Sequence, residues 1–121
     1  MNEVVTRFAP SPTGYLHVGG IRTALINYIV TQQSKLKNSK SKFLLRIEDT
    51  DKARSNNIFK KSILNGLKWL DIQWDGDIVI QSERIERHKE IAFQLLKQNL
   101  AFKCICTSEV LEKRRQENKN K

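Results

Sequence analysis

The sequence predicts an α/β fold, an open and mostly parallel sheet flanked by helices. Two observations carry that prediction. Short β-branched or continuously apolar runs alternate with segments of helical period, the pattern of successive βαβ units. The two most unusual loops, residues 9–18 and 48–51, each follow directly on a predicted strand. In sheets of this kind ligands bind beyond the carboxyl ends of the strands, so both loops are expected to open onto one functional edge.

Val4 to Phe8 reads as a short strand, followed at once by Ala9-Pro10-Ser11-Pro12-Thr13-Gly14. Each proline withholds a backbone donor and biases its predecessor towards extended geometry, so this stretch is a stiff loop. From Gly19 the period becomes helical, with Ile21, Ala24, Leu25, Tyr28 and Ile29 on one face. Ser34 to Lys42 is polar and lysine-rich, a solvated connection. Phe43-Leu44-Leu45-Arg46-Ile47 is a near-continuous apolar run, expected to be a strand covered on both faces.

After the acidic turn Glu48-Asp49-Thr50-Asp51, a second helix is expected, capped by Asn56 or Ser55 and carrying Phe59, Ile63, Leu64, Leu67 and Leu70 inward. Asp75-Gly76 marks a turn before a short strand over Asp77 to Ile80. Ser82 is expected to cap a third helix with Ile85, His88, Ala92, Leu95 and Leu96 on its inner face, His88 being read as a packed core residue. Trp69 and Trp74 are read as core and edge packing. Ala101 to Cys106 is expected to be extended, and Thr107 or Ser108 to start a last helix ending in a basic run.

The chain has 121 residues, a length that suits one small domain. Its 22 Lys and Arg against 13 Asp and Glu give a net charge of +9, which calls for an anionic partner. No apolar run is long enough to span a bilayer, and Met1-Asn2-Glu3-Val4-Val5 has no signal or transit pattern. Two cysteines in Cys104-Ile105-Cys106 do not make a disulfide framework, so a reducing cytoplasm is expected.

Two constellations carry chemistry. Arg7 through Gly20 combines the proline loop, His17, and the pair Gly19-Gly20 at a helix start, where free N–H groups and the helix dipole favour a phosphate. His17 can donate to a phosphate oxygen; a strand-to-helix turn without a ligand is the alternative. Arg46-Ile47-Glu48-Asp49-Thr50-Asp51 sets three carboxylates at a strand's carboxyl end. Glu48, first out of the strand, is placed to hold something cationic, an ammonium group or Mg²⁺. For Asp49 and Asp51 a helix-capping role is equally open. Arg7, the Ser11 hydroxyl and Glu48 around one cleft would suit a zwitterion bearing an extra carboxylate.

Together these stretches resemble the amino-terminal catalytic region of bacterial-type glutamyl-tRNA synthetases, class I aminoacyl-tRNA synthetases. Arg7 to Gly14 is similar to the family's first motif, His17-Val18-Gly19-Gly20 to its form of the "HIGH" signature, Arg46 to Asp51 to its strand-end motif, and Gln81-Ser82-Glu83-Arg84 to a later segment. The resemblance implies the N-terminal half of a Rossmann-like nucleotide-binding fold over residues 1–103, with 104–121 beginning the connective, acceptor-binding insertion. It implies ATP-dependent activation of L-glutamate and transfer to the 3′ end of tRNA(Glu), with Mg²⁺ accompanying ATP, by a cytoplasmic monomer. By the same match Arg7 would hold the side-chain carboxylate of glutamate, Ala9 and Ser11 would line the amino-acid site, and Glu48 would take the ammonium. Thr13, His17, Gly19 and Gly20 would serve ATP, the last three at the catalytic centre. Cys104 and Cys106 resemble half of a zinc site that some members carry. A thiolate zinc site usually needs four ligands, so zinc is not expected within these residues alone.

Lys37-Asn38-Ser39-Lys40-Ser41 looks like the family's mobile "KMSKS" loop but precedes the second strand, whereas that loop lies in the second half of the fold. A lysine-rich solvated loop is the better account. The phosphate-clamping loop and the anticodon-binding region are therefore expected to be missing, and this stretch alone is expected to show no pyrophosphate exchange. The enzyme that glutamylates queuosine in tRNA(Asp), and a non-catalytic basic RNA-binding fragment, are the alternative readings.

Overall fold

The computed structural model describes residues 3–119; Met1 and Asn2, and Asn120 and Lys121 at the end of the basic run, lie outside them. The chain divides into two compact units, one ending at Ile85 and one beginning at Glu86.

The first unit runs β1 (Val5–Phe8), α1 (Val18–Lys35), β2 (Lys42–Ile47), α2 (Asn57–Trp69) and β3 (Val79–Ile80), and ends in a 3₁₀ turn over Gln81–Arg84. The strands form one parallel sheet in the order β1-β2-β3, with Arg7 beside Leu44, Phe8 beside Leu45 and Arg46 beside Val79. Side chains alternate across a strand, so Phe8, Phe43, Leu45 and Ile47 share one face. There they form the core with Ala24 of α1, Ile63 and Leu67 of α2, and Ile72. Both helices therefore cover the same face. The other carries Val5, Arg7, Leu44, Arg46 and Val79, with Val5 53% and Val79 43% exposed. The expectation of a β2 buried on both faces is corrected: Leu44 and Arg46 are only half-buried, because this unit supplies helices to one side.

The inner face of α1 also differs from its apolar period. Ala24 and Thr31 are the buried residues, and Tyr28 packs edge-on against Phe43 with ring centroids 5.7 Å apart. Leu25 and Ile29 are 43% and 44% exposed. The apolar residues of α1 are spread round the helix and form no marked stripe, so hydrophobicity does not select the face. Small and hydroxyl-bearing side chains do. Thr6 donates to the Asn27 carbonyl at 2.9 Å and pairs with Thr31 Oγ1 at 2.6 Å, a polar seam between β1 and α1.

The α1–β2 connection is more anchored than a solvated loop. Lys35 contacts both Asp75 carboxylate oxygens at 2.8 Å, and Asp75 also accepts the Phe43 N–H at 2.8 Å. Ser41 is buried, with its Oγ accepting from the Val4 N–H and paired with Ser34 Oγ. Asn56 caps α2 as expected, its Oδ1 accepting the Ile58 N–H at 2.8 Å. Gly76 takes φ +72° in the Asp75-Gly76 turn, a conformation open to glycine.

Trp69 is not core: it ends α2 on the solvent side, 84% exposed, while Trp74 packs against the core. Ser82 is not a helix cap either, because its N–H and hydroxyl are committed to Asp49. α3 (Ile85–Lys97) buries no residue, and His88 is exposed. An amphipathic stripe is a capacity for burial, and burial itself needs an element packed across it. Residues 101–107 form no strand, and α4 (Ser108–Lys119) starts where expected, with Thr107 Oγ1 accepting the Val110 N–H at 3.4 Å.

Candidate functional site at the carboxyl edge of the sheet

The proline loop and the acidic turn meet at the carboxyl edge of β1 and β2. Prolines have no N–H to give, yet their carbonyls still accept, and both do so here. The Glu48 N–H donates to the Pro10 carbonyl at 2.9 Å, and the Asn56 N–H donates to the Pro12 carbonyl at 3.0 Å. The first bond ties the first constellation to the second through the backbone, and the second bond ties the proline loop to the cap of α2.

The side chains then divide around the proline loop. On one flank Pro10, Ser11, Gly14, Tyr15, His17 and Gly20 line a hollow of about 180 Å³. His17 caps α1: its Nδ1 accepts the Gly19 N–H at 3.1 Å, which leaves Nε2–H as the ring's donor. Gly19 leaves room for that fold-back, since a Cβ there would stand 3.0 Å from His17 Cε1 and press the ring aside. Gly20 answers to packing as well: a Cβ would come 3.1 Å from Leu16 Cδ1. Leu16 also presses on Gly66 of α2, where a Cβ would lie 2.7 Å from its Cδ2. Nothing in the sequence period singled out Gly66. It is the floor on which the loop residue before His17 rests.

On the other flank, Arg7, Arg46 and Glu48 belong to the sheet face turned away from α1 and α2. Arg7 lies beside Leu44 in register, and Glu48 continues the alternation of β2 one step past Ile47. Glu48 is paired with Arg46, the two side chains being 31% and 28% exposed. The expectation of one cleft around Arg7, Ser11 and Glu48 is corrected: Ser11 lines the hollow with His17, while Arg7 and Glu48 belong to the other sheet face, and the two sets share the sheet edge and a backbone junction at Pro10. Ala9 and Thr13 are half-buried within the loop, and Ser11 is exposed.

Every carboxylate of the acidic turn has an internal partner. Asp49 accepts the Ser82 N–H at 2.9 Å and its hydroxyl at 2.7 Å. Burial pushes the Asp49 pKa up, but the two Ser82 hydrogen bonds outweigh it and hold the carboxyl below its ordinary value. Asp51 is held low chiefly by the Arg54 guanidinium, at 2.6 Å. With these ties and the Arg46 pair, the turn does not fit a metal centre, and no cluster of three or more ligand side chains occurs among the described residues. Cys104 and Cys106 leave a four-ligand zinc site two ligands short. Their own contacts are local: the amide and thiol of Cys106 hold the Cys104 thiol below its ordinary pKa, and Arg114 Nη1 stands 3.8 Å from Cys106 Sγ.

Sequence reasoning missed three parts of this site: Arg46 as the partner of Glu48, Ser82 as the partner of Asp49, and the two proline carbonyls. The first was readable in principle, since residues two apart on a strand share a face. The other two depend on which strand comes next in the sheet.

A parallel sheet whose first helix opens with a histidine-capped Gly-Gly pair, with a carboxylate turn at the end of the neighbouring strand, defines the N-terminal part of the Rossmann-like nucleotide fold of class I aminoacyl-tRNA synthetases. The chain belongs to the family described as tRNA synthetases class I (E and Q), catalytic domain, whose model matches residues 3–121. It is 51% identical over 120 residues to glutamate–tRNA ligase 1 of Ehrlichia canis (strain Jake), covering 99% of this chain and 24% of that protein. It is 52% identical over 116 residues to glutamate–tRNA ligase 1 of Orientia tsutsugamushi (strain Boryong), covering 96% of this chain and 23% of that one. The crystal structure of a glutamate tRNA ligase from Elizabethkingia meningosepticum CCUG26117 in complex with its amino acid superposes with a TM-score of 0.75 at 34% identity, over 96% of this chain and 24% of that chain. The chain thus spans about a quarter of the length of the relatives it matches.

Proposed function

We propose that this chain is the amino-terminal substrate-binding part of a glutamate–tRNA ligase, which activates L-glutamate with ATP and transfers it to the 3′ end of tRNA(Glu). The observation that carries this reading is the junction at Pro10. It sets Arg7 and Glu48, on one face of the sheet, and the His17-capped helix start, on the other, along one carboxyl edge, so groups for an anion and an ammonium lie across that edge from a phosphate-facing helix start. The names of the relatives support glutamate as the amino acid.

In this reading Arg7 holds the side-chain carboxylate, Ala9 and Ser11 line the amino-acid site, and Glu48 takes the α-ammonium, leaving the α-carboxylate free. That carboxylate attacks the α-phosphorus of ATP in line and pyrophosphate leaves. The chain's part is positioning and charge stabilisation. Thr13 and the backbone at Gly19-Gly20 receive ATP, and His17 donates its Nε2–H to a phosphate oxygen. Mg²⁺ accompanies the triphosphate. Residues 1–103 form the first half of the nucleotide fold and 104–121 begin the acceptor-binding insertion. The setting is a cytoplasmic monomer; no helix among the described residues is long and apolar enough to cross a membrane.

Calorimetric titration with 5′-O-(L-glutamylsulfamoyl)adenosine tests the reading. Saturable binding, lost on Arg7→Ala and on Glu48→Ala, is expected. Binding indifferent to both substitutions, or salt-sensitive RNA binding with no binding of the analogue, refutes it.

A further inference from the structure

We infer that Arg46 is the positioning residue of the ammonium site, orienting the Glu48 carboxylate for its ligand. This rests on the role given to Glu48 above. Glu48 stands one residue beyond β2, its backbone held by the Pro10 carbonyl and its side chain bonded to Arg46. Arg46 lies on the middle strand, in register with Val79 of β3. Its Nη2 engages Glu48 Oε1, while Oε2 has no such tie to the guanidinium. With Oε1 taken up by the guanidinium, Oε2 is the carboxylate oxygen left open to an ammonium donor.

The burial pattern supports the same assignment. Arg46 Nε is buried without a hydrogen-bond partner, so the guanidinium stem is packed in place and its reach is spent at the Nη end. Both side chains are about 70% covered, more than Val5 and Val79 on the same sheet face, which are 53% and 43% exposed. A charge pair kept half-dry on an open face, next to a group assigned to substrate, sets geometry more than it adds stability.

The test compares two probes on the 121-residue chain: 5′-O-(L-glutamylsulfamoyl)adenosine and its des-amino counterpart, which lacks only the ammonium. Wild type is expected to prefer the amino compound at least about tenfold, the range of one hydrogen bond to a charged group. Arg46→Met is expected to bring that ratio close to one by weakening the amino compound far more than the des-amino one. Arg46→Lys keeps the charge but not the planar fork, and is expected to lose at least about threefold of the ratio; it carries the test if the methionine variant does not fold. Equal weakening of both probes would mean a merely structural role, and an unchanged ratio would mean none; either overturns the inference alone. A wild-type chain that binds neither probe, or a ratio indifferent to Glu48→Gln, overturns the function proposed above and this inference with it.

Discussion

Replacing Asp49 tests whether the acidic turn is built as a clamp. Its two oxygens accept the Ser82 N–H at 2.9 Å and the Ser82 hydroxyl at 2.7 Å, joining the end of β2 to the turn after β3. A hydrogen bond to a charged acceptor contributes about 1.5–3 kcal/mol when dry. Both residues are half-buried, so the low end of that range applies to each bond. Asp49→Ala should therefore cost about 2–3 kcal/mol, and Asp49→Asn, which keeps one acceptor, about 1 kcal/mol. Urea unfolding followed through Trp74 fluorescence reads this as a midpoint about 1 M lower for the alanine variant, at an m-value of about 2 kcal/mol/M. Ser82→Ala removes only the hydroxyl bond and should cost about half as much. Added to Asp49→Ala, it should cost almost nothing more, since the bond is already gone. An alanine variant within about 0.5 kcal/mol of wild type, or full additivity of the two substitutions, would refute the clamp.

Asp75 should make stability depend on acid. Burial raises its pKa, but the Lys35 ammonium and the Phe43 N–H bring it below the ordinary 3.8. Its stabilisation is then fully present above the unfolded value and lost as pH falls through the lower folded value; Asp75→Asn should flatten that part of the unfolding-midpoint profile. Gly19→Ala places a methyl 3.0 Å from the His17 ring and should break the Nδ1 cap, seen by ¹⁵N NMR as loss of the single Nε2–H tautomer. Ile63→Ala, at a site 1% exposed, should cost about 2–5 kcal/mol in urea unfolding. Trp69→Lys, at a site 84% exposed, should stay within about 0.5 kcal/mol in the same assay.

Much of the architecture was legible because local chemistry leaves little choice. Pro10 and Pro12 exclude helix, Asn56 caps one, and Asp75-Gly76 turns the chain. The period of α2 then names Ile63 and Leu67, both buried, whereas the apolar run of β2 marks a strand without telling that only Phe43, Leu45 and Ile47 of it are buried. The readings that failed concern side chains whose surroundings come from elsewhere in the chain. The apolar residues of α1 are spread round the helix, so its inner face was settled by Thr6 and Thr31 meeting across the seam. Trp69 and His88 are of core-compatible type, and both are exposed.

The same division holds at the functional edge. By itself the sequence determined which groups stand at the carboxyl ends of β1 and β2: Arg7, Ser11, His17, the two glycines and Glu48. Strand and turn propensities act over a few residues, and the motifs are contiguous. Only the tertiary structure decided who holds whom. Ser82 takes Asp49, Leu16 rests on Gly66, and the proline carbonyls bind the two loops together. Most of these pairings depend on which strand lies beside which and on which face each helix covers. Those are properties of the packed sheet, and no local run of residues encodes them.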